Sequence, residues 1–440
     1  MKPQFLISSI GPGNGKTIFA MGLIHVLRKR GMKVQPYKCG PEITDTQLLT
    51  LSADNEAVNL DEWITTYTHI QHTYNKYGEK ADACIIEGNG ALFDGYKRMQ
   101  GSSAEIAKLL NVPVVLLVNA RMAGYSIASI IYGFKHFHPQ VKIVGVVFNQ
   151  ITSSAHYSYL KEACFDAGVD CLGYLPYNAE FKLPSKHSSI TLTTKRTMDT
   201  QINLIADDIE KNVNINRLLM NCNRNFPCQY TLPYSSDIEA ETVIPTSQQI
   251  KIAIARDPAF NFIYKENIAR LSIYGKISYF SPVYGSDLPE ADLIYLPGGY
   301  PELFARQLHR RHKLKNALKE YAEKGGKILA ECGGMAFLGR SITAKEGGTS
   351  YEMCNILPLD FTINSKLNSG YRKMIYNGVE LRGYEFHYSA TNNAENSLIA
   401  TQATNIKGTN VDLPLYRYKN IIASYGHWYW GDKDILDLWK

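Results

Sequence analysis

The sequence predicts an α/β protein with two domains, an N-terminal parallel-sheet domain that carries a phosphate-binding loop and a C-terminal α/β domain. Its 440 residues, 45% hydrophobic and 20% charged, exceed one ordinary domain and supply material for two cores. The apolar segments are continuous rather than alternating, which is typical of strands buried on both faces of a parallel sheet. This strand–helix alternation occurs twice, with a polar segment between the two runs.

The elements follow in order along the chain. In the first half we expect strands at 5–10, 33–38, 83–86, 112–118 and 141–148, and a first helix over 16–30. In the second half we expect strands at 251–255, 276–280, 292–296 and 327–330, a helix over 301–324, and a more β-like pattern beyond Tyr351. We therefore predict domains at 1–190 and 250–440, joined by a polar connector at 191–249 with one helical stretch near 199–213.

Composition excludes several classes of function. The formal charge of +6 is mild for this length and the longest basic run is Arg28-Lys29-Arg30, so we expect no nucleic-acid binding. The chain starts without the pattern of a signal peptide, and its longest apolar run, 112–118, is too short for a membrane span. The eight cysteines form no CxxC pair, which is typical of reduced thiols. We therefore expect a cytoplasmic protein that does not contact a membrane.

A phosphate-binding loop is predicted where the first strand meets the first helix. The segment Gly11-Pro12-Gly13-Asn14-Gly15-Lys16-Thr17 places glycines where backbone N–H groups can surround phosphate oxygens at a helix N-terminus. Lys16 would reach the terminal phosphates of ATP, and the Thr17 hydroxyl would bind Mg²⁺. Gly13 and Gly15 provide the turn.

A carboxylate for the metal is predicted at the edge of the same sheet. Glu87 follows a buried apolar run and precedes Gly88, which places it at the carboxyl end of a strand, where α/β sheets bind ligands. We predict Glu87 as a Mg²⁺ ligand, with Asp45 and Asp94 in nearby loops as weaker candidates.

A nucleophile elbow is predicted in the second domain. Ala330-Glu331-Cys332-Gly333-Gly334 follows a strand and precedes a helical segment, so Cys332 would sit on a sharp turn at a helix N-terminus that lowers its pKa. His427 is the predicted general base, and His387, a histidine among aromatic residues, is the rival that we expect to be a packed, hydrogen-bonded core residue. The segment 296–300, which contains Gly298 and Gly299, would supply backbone amides for an oxyanion hole.

These segments together resemble the cobyrinic acid a,c-diamide synthase family over nearly the whole chain. The N-terminal half resembles its dethiobiotin-synthetase-like ATP domain, and the C-terminal half its class I glutamine amidotransferase domain. The matching segments are 13–17, 34–41, 59–61, 87–88, 101–105, 145–149 and 172–176 in the first half, and 255–260, 296–302, 331–334, 383–389 and 423–427 in the second. Their order and number make the match specific.

The resemblance implies a glutamine-hydrolysing carbon–nitrogen ligase. Cys332 with His427 would release ammonia from L-glutamine, and ATP with Mg²⁺ would activate the a and c carboxylates of a corrinoid, cobyrinic acid, in cobalamin biosynthesis. By the same resemblance Lys38 belongs to the nucleotide site together with Gly13, Gly15, Lys16 and Thr17, the metal would be held by Thr17, Asp45 and Glu87, and a homodimer is compatible with the family.

The chain departs from the family pattern in the loop after Lys38, and it shares with the family the lack of a triad acid near His427. Glu42 and Ile43 stand where the family carries Asp and Tyr, which predicts altered substrate selectivity. Tyr429 stands where many glutamine amidotransferases carry the acid of a triad, so we expect a Cys–His pair. Two alternatives remain open at this point: a,c-diamidation of nickel-sirohydrochlorin, and a nucleotide-binding regulatory paralogue without synthase activity.

Overall fold

A computed structural model describes residues 1–181, 192–229, 249–344, 347–392 and 396–440. These residues form two compact units, 1–181 with 192–229 and 249 to the C-terminus. No helix among the described residues is long and apolar enough to cross a membrane. The predicted two-domain α/β architecture is confirmed at the level of fold class.

The first unit contains eight strands and eight helices among its described residues. They are β1 (Lys2–Ser9), α1 (Lys16–Lys29), β2 (Val34–Cys39), α2 (Thr44–Ala53), β3 (Val58–Leu60), α3 (Tyr67–Gly78), β4 (Ala83–Glu87), α4 (Ser103–Leu110), β5 (Val114–Asn119), α5 (Ile127–His136), β6 (Ile143–Ile151), α6 (Ser154–Asp166), β7 (Cys171–Pro176), α7 (Leu192–Asn212), α8 (Ile215–Asn221) and β8 (Asn223–Arg224).

The main sheet of this unit is parallel and has the strand order β3-β2-β4-β1-β5-β6-β7, with β8 pairing antiparallel to the start of β1. Strands β2 and β4 are buried at every residue, which explains the continuous apolar run of β4, whereas β2 also buries Gln35 and Lys38. Because β1 lies between β4 and β5, its carboxyl end adjoins the ends of both neighbours. This arrangement places the phosphate loop after β1 next to Glu87 at the end of β4.

Helix α7 packs along α1 and belongs to the first unit. Gly22 in α1 is the point of close approach, since a methyl group there would lie 2.4 Å from Ile205 Cγ2 and 2.7 Å from Ile209 Cδ1. The described part of the predicted connector, 192–229, is therefore folded against the first sheet, and it has two helices rather than one helical stretch. The rest of the predicted connector, apart from residue 249, lies outside the described residues.

The second unit contains twelve strands and four α-helices among its described residues. They are β9 (Ile250–Ala255), α9 (Lys265–Tyr274), β10 (Gly275–Phe280), β11 (Leu293–Leu296), α10 (Ala305–His309), α11 (His312–Glu323), β12 (Lys327–Glu331), α12 (Gly333–Leu338), β13 (Ser341–Thr343), β14 (Ser350–Glu352), β15 (Asp360–Tyr376), β16 (Val379–Asn392), β17 (Ile399–Asn405), β18 (Asn410–Tyr418), β19 (Ile421–Ser424) and β20 (Gly426–Tyr429).

The sheet of the second unit is mixed. Strands β10, β9, β11, β12 and β19 run parallel, and the sheet continues through antiparallel β18, β17 and β15. Strand β20 lies at the carboxyl end of β12, because it directly follows β19, whose last residue Ser424 pairs with Glu331 of β12; on its other side β20 pairs with β16 of the long β15–β16 hairpin. The helix predicted over 301–324 is instead a 3-10 turn followed by α10 and α11, which are separated at Arg310 and Arg311.

Candidate active site

The loop between β1 and α1 has the backbone of a phosphate-binding turn. Gly13 and Gly15 have φ angles of 71° and 91°, a left-handed conformation that other residues rarely adopt. A side chain at Gly15 would also collide with Asn149, whose Nδ2 would lie 2.3 Å from the added carbon. Asn149 of β6 donates to the Asn14 carbonyl at 2.8 Å, and this hydrogen bond fixes the loop to β6.

Lys16 folds over this loop with its ammonium group buried. Its Nζ donates to Ser9 Oγ at 3.0 Å and to the Gly90 carbonyl at 2.6 Å. Burial, together with the nearby Lys38 ammonium, lowers the pKa of Lys16. An ammonium group in this setting gains from an anionic partner, which is what a triphosphate supplies.

Lys38, Asp45 and Glu87 form a buried charge cluster beside the loop. Lys38 Nζ lies 3.0 Å from Asp45 Oδ2 and 3.2 Å from Glu87 Oε1. Burial opposes the charge of Lys38, but Glu87 and Asp45 outweigh it and raise the pKa of Lys38 far above its ordinary value. Burial raises the pKa of Glu87, while Lys38 acts in the opposite direction. The cluster therefore holds both predicted carboxylates at one place.

The oxygen atoms of this cluster fit a Mg²⁺ ion. Thr17 Oγ1 donates to Glu87 Oε1 at 2.6 Å, so the predicted hydroxyl and carboxylate ligands are adjacent. Glu87 Oε2 is buried and makes no hydrogen bond within the described residues, which leaves one hard oxygen available. The described residues contain no group of three or more His, Cys, Asp or Glu arranged for a metal, so phosphate and water would complete the coordination, as is usual for Mg²⁺. Asp94, the other weaker candidate, is exposed, whereas Glu87 is buried.

Cys332 occupies a strained turn between β12 and α12. Its φ of 42° and ψ of −106° are unusual for a residue with a side chain, which is the backbone of the predicted elbow. The turn is fixed by a hydrogen bond from the Cys332 amide to the Ser424 carbonyl at 2.7 Å. The strain is located at the residue that we expect to react.

The expectation of a lowered thiol pKa at Cys332 is wrong, although the Gly333 amide at the helix end does act in that direction. Burial, with a further contribution from Glu302, raises the pKa of Cys332 well above its ordinary range. Helix α12 has only six residues, so its dipole is small compared with the cost of a charged sulfur in a dry site. The thiol is therefore neutral at physiological pH in the absence of substrate.

His427 on β20 is brought beside Cys332 at Gly298. A methyl group at Gly298 would lie 2.1 Å from His427 Cε1 and 3.3 Å from Cys332 Cβ, so the two side chains meet there. Burial, and the nearby His387, lower the pKa of His427 to about 3. Neither ring nitrogen makes a hydrogen bond of normal geometry within the described residues. A neutral imidazole with an available nitrogen is the form that a general base requires.

His387 on β16 is hydrogen-bonded on both sides, as expected for a packed residue. Its Nδ1 contacts the Ser389 carbonyl at 2.7 Å and its Nε2 contacts Glu385 Oε1 at 2.8 Å. The ring stacks on Tyr425 with a centroid distance of 3.7 Å, and Arg372 Nε donates to Glu385 Oε2 at 2.6 Å. Both nitrogens are engaged, so His387 has no free lone pair for a substrate proton.

A small pocket opens at Cys332. It is lined by Cys332 and Gly333 of the elbow, by Gly299 and Glu302 of the segment after β11, and by His387. Gly299 lies directly against the elbow, since a methyl group at Gly333 would be 3.2 Å from the Gly299 nitrogen. The pocket therefore brings the Cys332 thiol, a turn of small residues and the Glu302 carboxylate together around one small cavity.

Sequence reasoning missed two acids that organise this site. Asp257 accepts hydrogen bonds from the amides of Ala259 and Val283 at 2.8 Å each and so fixes the loop after β9, whose residue Phe262 donates to the Gly298 carbonyl at 3.0 Å. Glu331, next to the nucleophile, is also buried. The available signal was an acid at or just after the end of an apolar strand, Glu331 at the end of β12 and Asp257 two residues after β9.

The divergent positions 42 and 43 lie at the start of α2. Ile43 is buried and immediately precedes the helix, and Asn59 Nδ2 donates to the Gly40 and Glu42 carbonyls at 2.9 Å each. An aromatic side chain at position 43 would therefore have to fit a packed site rather than open solvent. The expected change in substrate selectivity stays a prediction.

Comparisons with known proteins agree with this two-site organisation. Residues 5–190 match a family model described as a CobQ/CobB/MinD/ParA nucleotide binding domain, and residues 251–435 match a CobB/CobQ-like glutamine amidotransferase domain. A cobyrinate a,c-diamide synthase from Dehalococcoides mccartyi is 35% identical over 98% of this chain and 95% of that protein. Proteins with the same name from Listeria monocytogenes and Sulfurisphaera tokodaii are 34% and 33% identical over 89% and 97% of this chain, and over 88% and 97% of their own lengths.

Proposed function

This chain belongs to the cobyrinate a,c-diamide synthase family, as a glutamine-hydrolysing carbon–nitrogen ligase, and we propose that it amidates the a and c side-chain carboxylates of cobyrinic acid with ATP and L-glutamine. The observation that supports the proposal is that one chain brings together the residues predicted for both sites. One site has Lys16, Thr17 and Glu87 around a phosphate loop, and the other pairs Cys332 with His427.

The proposed reaction at the glutamine site starts from a neutral Cys332 thiol and a neutral His427 imidazole. Cys332 Sγ attacks the side-chain amide carbon of glutamine while His427 accepts the thiol proton. The negative oxygen that forms is stabilised by backbone amides of the elbow and of the 298–300 segment. His427 then donates the proton to the leaving nitrogen, ammonia departs, and water hydrolyses the glutamyl thioester to glutamate.

The ATP site activates a carboxylate that is otherwise a poor acyl donor. A carboxylate oxygen of the substrate attacks the γ-phosphorus, ADP leaves, and ammonia then displaces phosphate from the acyl phosphate to give the amide. Lys16 neutralises charge on the transferred phosphoryl group, and Lys38 holds Asp45 and Glu87 in place through its ion pairs with both. Mg²⁺, held by Thr17 and Glu87 with Asp45 nearby, would supply further positive charge at the phosphates.

The test is mass spectrometry of cobyrinic acid incubated with the protein, ATP, Mg²⁺ and glutamine. We expect two successive products, each lighter than its precursor by about one mass unit, because each replaces a hydroxyl by an amino group. Nickel-sirohydrochlorin is assayed in parallel. Amidation of that macrocycle alone would replace the proposed substrate, and glutamine-independent ATP binding without any amidation would indicate the regulatory alternative.

A further inference from the structure

The strand that carries His427 is held at one edge by side chains instead of by a strand. Among the described residues β20 pairs with β16 alone, through register pairs that include Tyr384 with His427. Successive residues of a strand direct their backbone groups to opposite edges. The backbone groups of Trp428 and Trp430 therefore face away from β16 and need other partners.

Two buried side chains supply those partners. Asn267 of α9 donates to the Trp428 carbonyl at 2.8 Å and accepts from the Trp430 amide at 2.9 Å. Glu331 Oε1 accepts from the Trp428 amide at 3.0 Å. Glu331 Oε2 accepts from the Tyr295 hydroxyl at 2.8 Å, which fixes the carboxyl group from β11.

The hydrogen bond between Glu331 and Trp428 lies between the sequence neighbours of Cys332 and His427. Glu331 is the residue before Cys332, and Trp428 is the residue after His427. This hydrogen bond therefore links the two chain segments that carry the proposed nucleophile and the proposed base, because each of its two residues is the sequence neighbour of one of them. We propose that Glu331 is a positioning residue for glutamine hydrolysis, which sets the separation of Cys332 and His427 by holding β20 against β12.

Three properties suit Glu331 to this task. Its carboxyl group is 2% exposed, so water does not compete for the bond. Burial raises the pKa of Glu331 to about 8, which favours its uncharged form at neutral pH and so limits its repulsion of the negative charge that develops on Cys332. His427 has no acid of its own at position 429, so its position depends on its backbone rather than on a triad carboxylate.

The test compares Glu331→Ala and Glu331→Gln in the full-length protein. The inference rests on the proposed roles of Cys332 and His427. We expect Glu331→Ala to lower kcat for glutamine hydrolysis about 10- to 100-fold, with KM for glutamine changed less than about threefold, because small misplacements of reacting groups cost this much. Glu331→Gln keeps one acceptor and one donor, and we expect it to retain kcat within about threefold.

Controls separate positioning from general damage. Asn420→Ala removes a side-chain bond to the Gly325 carbonyl, 2.6 Å long, at the opposite end of β12 and β19, and should leave kcat unchanged. Ammonia-supported amide synthesis should survive in every variant. If Glu331→Ala does not fold, Asn267→Ala is tested in its place, because Asn267 makes the other side-chain hydrogen bonds to this edge of β20. The same result is expected: a lower kcat for glutamine hydrolysis with little change in KM.

The outcomes are distinguishable from a failure of the proposed function. Loss of activity in Cys332→Ala with full kcat in Glu331→Ala would overturn the positioning role alone. Full glutaminase activity in Cys332→Ala would overturn the proposed glutamine site itself. An equal kcat loss in Glu331→Gln and Glu331→Ala, or a matching loss with ammonia as the nitrogen source, would also contradict the positioning role.

Discussion

At the residue scale, His427 and His387 lie on neighbouring strands and differ in what their ring nitrogens contact. His387 is held by Ser389 and Glu385, whereas His427 makes no normal hydrogen bond within the described residues and is uncharged, with a pKa of about 3. On this ground we propose that His427, rather than His387, accepts the thiol proton. The distinction comes from the partners of each ring, which the sequence alone does not show.

We therefore predict that His427→Asn lowers glutaminase turnover by about 10²- to 10⁴-fold, the usual contribution of a general base. His387→Asn should cost much less, because Glu385 keeps its bond to Arg372. Steady-state release of glutamate by both variants is the measurement. A larger loss in His387→Asn would exchange the roles of the two histidines.

Glu87 is the residue on which the metal assignment depends. Glu87→Gln keeps the shape of the side chain but removes the charge that Lys38 faces at 3.2 Å and weakens a Mg²⁺ ligand. We predict that amide formation is lost with glutamine and with ammonia, and that any residual ATP turnover requires more Mg²⁺. Titration of ATP hydrolysis with Mg²⁺ tests this, with the exposed Glu79→Gln as control. An unchanged Mg²⁺ requirement would remove Glu87 from the metal site.

At the element scale, the segment after β11 approaches the elbow so closely that Gly298 admits no side chain. In Gly298→Ala the added carbon would lie 2.1 Å from His427 Cε1, so the imidazole has to move away from Cys332. We predict a loss of at least about 100-fold in glutaminase activity, since proton transfer depends on that geometry. Ammonia-supported synthesis, measured in the same preparation, should be retained; its loss would indicate a folding defect.

The contact between α1 and α7 gives a second prediction at this scale. Gly22→Ala would place a carbon 2.4 Å from Ile205 Cγ2, and overpacking of this kind costs about 1–3 kcal/mol. The matched control is Gly133→Ala in α5, where no atom lies within 4 Å and the gain in helix propensity is up to about 1 kcal/mol. Urea unfolding should separate the two variants. Equal stability would show that α7 does not pack on α1.

Sequence patterns predicted the local features of these elements more easily than their contacts. Apolar runs predicted β1, β4 and β12, and the glycines predicted the loop before Lys16 and the elbow at Cys332, because each signal is carried by neighbouring residues. The packing of α7, the thiol pKa and the bond from Glu331 to Trp428 depend on residues far apart in the chain. Their physical causes are burial and tertiary contact, which a single sequence does not display.

At the scale of the whole molecule, the two reactive sites are built in different folding units. Lys16 and Glu87 belong to the first unit, and Cys332 and His427 to the second. Each site has its own sheet and its own buried charged groups. A substitution in one unit should therefore leave the intrinsic chemistry of the other intact, which makes the division of labour measurable.

We predict reciprocal losses in Cys332→Ala and Lys16→Ala. Cys332→Ala should abolish glutamine-supported synthesis and retain ammonia-supported synthesis, because the ATP site does not use the thiol. Lys16→Ala should abolish synthesis with both nitrogen sources and retain basal glutaminase activity, because it removes the ammonium that the phosphates require. Amide formation and glutamate release are measured for both variants with each nitrogen source. Loss of both activities in either variant would contradict independent sites, and unchanged ATP binding in Lys16→Ala would contradict the phosphate-loop assignment.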